Sequence, residues 1–146
     1  MLNFNYNEKM GKEISKLNIL IVDDIAFMRR TIIECLLEIG ISLNRIHEAD
    51  NGLTALSQLE TGINSKELID IVVSDWNMPT MNGLKLLKTI RGSGGITSKT
   101  PFIMVTTVSE KEQIVEALEY DLSGYLIKPV ETNKLKDIIY SIADTE

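Results

Sequence analysis

Cysteine is almost absent from this chain. The single thiol, Cys35, has no partner for an internal disulfide, which suits a reducing compartment. It sits in the apolar run Cys35-Leu36-Leu37 with no basic neighbour to lower its pKa, so it reads as a buried, inert side chain rather than a nucleophile. Long hydrophobic runs are missing as well. No stretch approaches the roughly 20 apolar residues needed to span a bilayer. The N-terminus also lacks the positively charged start and apolar core of a signal peptide. These absences point to a cytoplasmic protein with no membrane partner. Basic charge is in deficit, with 15 Lys and Arg against 21 Asp and Glu and a net charge of -6. That speaks against a general nucleic-acid binder, which wants a basic face. Histidine occurs once, as His47 on a short strand, where an ordinary imidazole suffices. There is no internal repeat and no low-complexity tract, and 146 residues suit one domain.

What the chain does contain is an alternation. Residues 1–16 are polar and asparagine-rich and read as a tail with a short helical turn at its end. One domain then fills residues 17–146. Leu17 to Val22 reads as a buried strand, followed by a helix over Ala26 to Ile39 with Met28, Ile32, Leu36 and Ile39 inward and Gly40 as its stop. Arg45 to Ala49 is a shorter, more polar strand, expected at an edge. Asp50-Asn51-Gly52 turns into a helix with Leu53, Leu56 and Leu59 inward, ending near Gly62. Ile69 to Ser74 is a β-branched run too short for a helix and too apolar for an edge. Asp75 ends it, and a loop through Pro79 to Gly83 leads to a helix on Leu84, Leu87 and Ile90. Pro101 to Val105 is a fourth strand, ending in Thr106-Thr107, and Ile114, Val115 and Leu118 line a fourth helix. Gly124 to Ile127 is a fifth strand, ending in Lys128-Pro129. Leu135, Ile138, Ile139 and Ile142 line the last helix. Strand and helix alternate five times with short connections, which predicts an α/β fold: a doubly wound parallel sheet with helices on both faces.

In such a sheet the ligand crevice lies outside the carboxyl ends of the strands. The residues there are Asp23 and Asp24 after the first strand, Asp75 after the third, Thr106 after the fourth and Lys128 after the fifth. Each has an ordinary reading by itself. Asp24 could cap a helix, Thr106 could be a plain strand residue, and Lys128 could be a solvated lysine. Their joint placement is what those readings explain badly. Three carboxylates together repel one another and raise each other's pKa unless a cation joins them. Oxygen ligands with open positions suit Mg²⁺. A hydroxyl and an ammonium opposite the metal complete a cradle for phosphoryl oxygens. Asp75, the central carboxylate, is then the natural nucleophile, with an aspartyl phosphate as the covalent product.

Ile21-Val22-Asp23-Asp24, Ser74-Asp75-Trp76-Asn77-Met78-Pro79 with Asn82-Gly83, Met104-Val105-Thr106 and Gly124-Tyr125-Leu126-Ile127-Lys128-Pro129 resemble the receiver domain of two-component response regulators. Within that family the likeness is to the stand-alone chemotaxis type. It covers about residues 17–143 and extends to Met28-Arg29-Arg30 and to Gly83 through Arg91. The resemblance implies a flavodoxin-like (βα)5 fold of strand order 2-1-3-4-5. It implies that Asp75 accepts a phosphoryl group from a phosphohistidine on a chemotaxis-type sensor histidine kinase. Asp24, Asp75 and the backbone carbonyl of Asn77 would hold Mg²⁺ directly, and Asp23 would act largely through metal-bound water. Lys128 would pair with the phosphoryl group and Thr106 would turn its hydroxyl toward it. Tyr125 would then move inward, changing the surface of the fourth helix, fifth strand and fifth helix. The Lys128-Pro129 bond is expected to be cis.

The same resemblance implies a monomeric interaction switch rather than a turnover enzyme. No effector domain is expected after Glu146, so the output is a protein contact, with the flagellar motor switch protein as target and a phosphatase as a further partner. A phosphorelay shuttle is the alternative inside the family. A Mg²⁺-dependent aspartyl phosphohydrolase is the alternative outside it. That chemistry wants an acid two residues after the nucleophile, where this chain has Asn77. Two positions depart from the familiar pattern. Val108 lies two residues after Thr106, where relatives often carry a polar or acidic side chain, which implies slow self-dephosphorylation with Asn77 as the remaining amide near the water. Thr107 is bulkier than the alanine of near relatives. Trp76, beside Asp75, is placed to report metal binding by fluorescence.

Overall fold

Ile19, Ile21, Ile71, Val73, Ile103 and Val105 point to one face of a sheet, and Leu20, Val22, Val72, Phe102 and Met104 point to the other. Side chains alternate along a strand, and here both alternating sets are apolar and buried. Such strands need cover on both sides, and the helices supply it. The computed structural model describes residues 13–107 and 112–144. Its elements run β1 (Ile19–Val22), α1 (Ala26–Ile39), β2 (Ile46–Ala49), α2 (Gly52–Ser65), β3 (Ile71–Asp75), α3 (Gly83–Arg91), β4 (Phe102–Thr106), α4 (Ile114–Leu118), β5 (Gly124–Ile127) and α5 (Thr132–Asp144). All strand pairs are parallel. The order is β2-β1-β3-β4-β5, the doubly wound arrangement expected from the sequence.

The first face is covered by α1 and α5, through Ile32, Leu36, Leu135 and Ile139. The second is covered by α2, α3 and α4, through Ala55, Leu59, Leu86, Leu87, Ile90, Ile114 and Ala117. Ile14, in a 3-10 turn over Ile14–Lys16, is buried in the first core beside Leu17. The edge strand β2 is only partly buried, as its polar sequence indicates.

Helix ends follow local chemistry. Gly40 takes φ 111° and its N–H reaches Leu36 and Leu37 carbonyls, closing α1 in a left-handed cap. Asn51 and Asn82 cap α2 and α3, accepting from Thr54 N and Lys85 N at 2.8 Å each.

Three expectations about helices need correction. Helix α2 does not stop near Gly62 but runs to Ser65, with Lys66 at φ 64° as its left-handed end. Gly62 faces inward, and a Cβ there would lie 2.8 Å from the Glu67 carbonyl. It makes room for the returning chain instead of ending the helix. Val115 and Leu118 do not line the inside of α4, being exposed at 66% and 52%. The inner stripe is Ile114 and Ala117, and a five-residue helix has too few turns to reveal its stripe. Leu53, on the first turn of α2, also faces outward, where Ala55 and Leu59 carry the burial. Among the described residues no helix is long and apolar enough to cross a membrane.

Arg91, the last residue of α3, joins the far end of the fold. Its guanidinium donates to the carbonyls of Thr100 at 2.7 Å, Tyr120 at 2.8 Å, Asp121 at 2.9 Å and Ser98 at 3.1 Å. One side chain thereby ties α3 to the α4–β5 turn, where Asp121 sits at φ 57°. Hydrogen bonds from a charged donor contribute about 1.5–3 kcal/mol each when buried, and less where water can replace them. Arg91→Met is expected to lower unfolding free energy by about 2 kcal/mol or more in urea titration. A change below about 0.5 kcal/mol would show that water replaces the clamp at no cost.

Candidate functional site

The carboxyl edge of the sheet is built by backbone bonds that continue the strands past their ends. Asp23 N–H donates to the Ala49 carbonyl at 3.1 Å, Trp76 N–H to Val105 at 2.9 Å and Lys128 N–H to Thr106 at 2.8 Å. These bonds fix the residues that follow β1, β3 and β5. Asp23 is 1% exposed and Asp75 4% exposed, while Asp24 faces solvent. One carboxylate oxygen from each lies within 4.8 Å of the other two. Lys128 Nζ is 2.9 Å from Asp75 Oδ1. The Lys128-Pro129 peptide is cis.

The loop after Asp75 is held tightly. Gly83 N–H donates to the Trp76 carbonyl at 2.8 Å. A Cβ on Gly83 would collide with the Asp75 carbonyl and lie 2.7 Å from Met104 Sδ, so only glycine lets α3 start this close to the central carboxylate. Trp76 and Met78 fold back into the second core. Thr80 takes φ 71°, a costly conformation for a β-branched residue and one that clusters at functional sites.

The electrostatics are unbalanced. Asp23 Oδ1 accepts from Ile25 N–H at 2.9 Å, but Oδ2 is buried with no hydrogen-bond donor. Burial, the largest cause, pushes the Asp23 carboxyl up from 3.8 to about 6. The Ile25 bond opposes the rise, the Asp75 charge adds to it, Lys128 opposes it and Asp24 adds a little. Among the described residues one ammonium, that of Lys128, thus faces three carboxylates. An orphaned buried oxygen among three hard oxygen ligands fits a small divalent cation, which would satisfy Oδ2 and relieve the repulsion.

The other candidates sit around this cluster. Thr106 ends β4, fully buried, with its hydroxyl 3.4 Å from the Thr107 carbonyl oxygen. Tyr125 lies on β5 opposite Met104 and is 37% exposed. Asn77 is on the surface two residues past Asp75, and Thr107 is half-buried. Val108 lies outside the described residues. His47 pairs with Leu20 inside β2 and joins no part of the cluster. Cys35 is buried.

Two neighbours escaped the sequence reading. A groove of about 340 Å³ opens beside Asp24, with Asp50, Leu53, Pro79, Thr80 and Met81 among its walls. Asp50 follows β2 just as Asp23 follows β1, so the strand-end rule applied to the edge strand would have found it. Arg29, on the first turn of α1, donates through Nη1 to the Asp23 carbonyl at 2.8 Å; nothing in its sequence neighbourhood marks that contact.

The raised Asp23 pKa sets a pH dependence for the metal-free protein. Between about pH 4 and 6 the folded chain keeps a proton that the unfolded chain releases. The Asp23 contribution to stability is therefore fully present below that window and is lost as pH rises through it, by at most about 1.4 kcal/mol per unit. Urea midpoints measured with chelator present should show this fall in the wild type and not in Asp23→Asn. Equal slopes in the two would contradict the assignment.

Comparison with known proteins agrees with this geometry. Residues 19–140 match the response regulator receiver domain family. The chain is 42% identical over 121 residues to the chemotaxis protein CheY-3 of Vibrio cholerae, covering 83% of this chain and 87% of that one. It is 39% identical over 126 residues to the chemotaxis protein CheY of Pseudomonas aeruginosa, covering 86% and 95%. Among solved structures, a response regulator receiver domain protein from Clostridium thermocellum superposes with a TM-score of 0.76 at 25% identity, covering 88% and 95%. The chemotaxis protein CheY4 of Vibrio cholerae superposes at 0.71 and 28% identity, covering 86% and 98%.

Proposed function

This chain belongs to the response regulator receiver domain family, and from that premise we propose that it is a phosphorylation switch of chemotaxis signalling that accepts its phosphoryl group on Asp75. The observation that carries the reading is the meeting of Asp23, Asp24 and Asp75 within 4.8 Å, with Lys128 Nζ 2.9 Å from Asp75 Oδ1. The chemotaxis relatives of Vibrio and Pseudomonas support the pathway.

The phosphodonor is a phosphohistidine on a sensor histidine kinase. An Asp75 carboxylate oxygen attacks phosphorus, and the P–N bond breaks with its electron pair leaving on the imidazole. Asp24, Asp75 and the Asn77 carbonyl would hold Mg²⁺ directly and Asp23 largely through metal-bound water, and the ion would supply positive charge for the oxygens of the transferring group. Lys128 leaves its ion pair with Asp75 and takes a phosphoryl oxygen. The buried wall behind β3 and β4 excludes water and keeps these charges strong. The product adds about -1.5 to -2 charge where a single carboxylate stood. The phosphoryl oxygens then offer the Thr106 hydroxyl a charged acceptor. Movement of Thr106 makes room for Tyr125, now 37% exposed, to turn inward.

That motion changes a surface already suited to a protein partner. Val115 and Leu118 stand exposed on α4, and a groove of about 370 Å³ runs past Tyr125, Ile127, Lys134 and Ile138. The flagellar motor switch is the proposed target, and a phosphatase acts on the same state. The chain does not turn over a substrate. Asn77 offers no acid where a phosphohydrolase would need one, so labelling stops at one phosphoryl group per chain.

Phosphotransfer from a phosphorylated histidine kinase tests the reading. Label is expected on the wild type with Mg²⁺, with a loss of at least 100-fold in Asp75→Asn or in chelator. Transfer that survives both would sink it. Thr106→Ala separates chemistry from output. It should keep labelling within about tenfold yet lose most of the phosphorylation-dependent gain in affinity for a motor-switch peptide. Undiminished gain would remove Thr106 from the switch.

A further inference from the structure

Asp23 is held at more points than a strand end needs. Its N–H donates to Ala49 of β2 and its Oδ1 accepts from Ile25 N–H. Its carbonyl accepts from Arg29 Nη1 at 2.8 Å. Arg29 is itself fixed, because Nε donates to Glu48 Oε1 at 2.8 Å. The Arg29 side chain is 18% exposed against 46% for Glu48, so the guanidinium is the sheltered half of the pair. The brace runs from β2 through α1 to the peptide joining Asp23 and Asp24. The guanidinium bonds a backbone carbonyl and Glu48, neither of them one of the three carboxylates.

Three carboxylates within 4.8 Å push one another apart. The cheapest relief for Asp23 is a small rotation of its peptide, which would swing Oδ2 out of the cluster. A planar guanidinium that holds Glu48 through one N–H and the Asp23 carbonyl through another resists that rotation, as a lone point charge would not. From this geometry we infer that the Arg29–Glu48 pair positions the Asp23 carboxylate for metal binding, with Arg29 as the positioning residue and Glu48 acting through it. The inference rests on the metal reading proposed above and extends it to residues outside the ligand set. Partners of metal ligands typically change affinity 10–100-fold when removed.

The test is a Mg²⁺ titration of the full chain followed by Trp76 fluorescence and by calorimetry, with phosphotransfer measured at saturating Mg²⁺. Arg29→Met should raise the Mg²⁺ dissociation constant by about tenfold or more and lower the saturated rate far less. Arg29→Lys keeps the charge and loses the fork, so it should recover only a small part of that affinity. Glu48→Gln should weaken binding a few-fold, and it carries the test if Arg29→Met fails to fold. Arg29→Met/Glu48→Met should bind no more weakly than Arg29→Met alone. A dissociation constant within twofold of wild type in Arg29→Met would overturn the inference. So would full recovery in Arg29→Lys or multiplying losses in the double variant. If the wild type itself gives no heat and no fluorescence change with Mg²⁺, the metal reading fails first, and that outcome is distinct from failure in the variants alone.

Discussion

Mutual repulsion among Asp23, Asp24 and Asp75 is the constraint around which the carboxyl edge of this sheet is arranged. Two of the three are buried, and one ammonium is too little charge to balance them. Burial drives the Asp23 carboxyl up to about 6, so near neutral pH the metal-free fold carries a charge that its surroundings disfavour. A scaffold that merely needed stability would have an amide or an apolar residue there. The cost is tolerable only because the rest of the domain is well packed, with both sheet faces covered and β1, β3 and β4 fully buried. In the proposed function the same repulsion is put to use: a cation and then a phosphoryl group would change the local charge balance, and residues packed against the cluster would respond.

Rigidity and mobility are distributed accordingly. The ligand side is locked by short-range devices: the Gly83 approach to the Asp75 carbonyl, the strand-end bonds of Asp23, Trp76 and Lys128, and the Arg29 fork on the Asp23 carbonyl. The output side is lighter. Helix α4 is five residues long, β5 is a half-exposed edge, and Tyr125 stands outside the core. Arg91 ties the chain just after α4 to α3, so the proposed switch would move the part of α4 nearer Thr106. The proposed switch would need one face that cannot move and one that can.

Much of this was legible in the sequence, for identifiable reasons. Buried parallel strands are short β-branched runs, so Ile71–Asp75 and Phe102–Thr106 could be read to within two residues, and the residues following them could be placed on one edge. Helix α4 was misread because its apolar residues lie on both faces and one short element gives no period to separate them. Gly62 looked like a stop because glycine ends helices more often than it makes room for a neighbouring backbone. Arg29 and the φ of Thr80 were invisible for a different reason. A side chain reaching a distant carbonyl, or a loop residue forced into the left-handed region, is set by tertiary geometry and leaves no local pattern.

The central claim is that Asp75 carries the phosphoryl group. Borohydride reduction converts an aspartyl phosphate to homoserine, a mass change that peptide sequencing by mass spectrometry can place on one residue. After reaction with a phosphohistidine donor and Mg²⁺, homoserine is expected at position 75 and at neither Asp23 nor Asp24. Homoserine at another position, or a phosphorylated chain that yields none, would contradict the account.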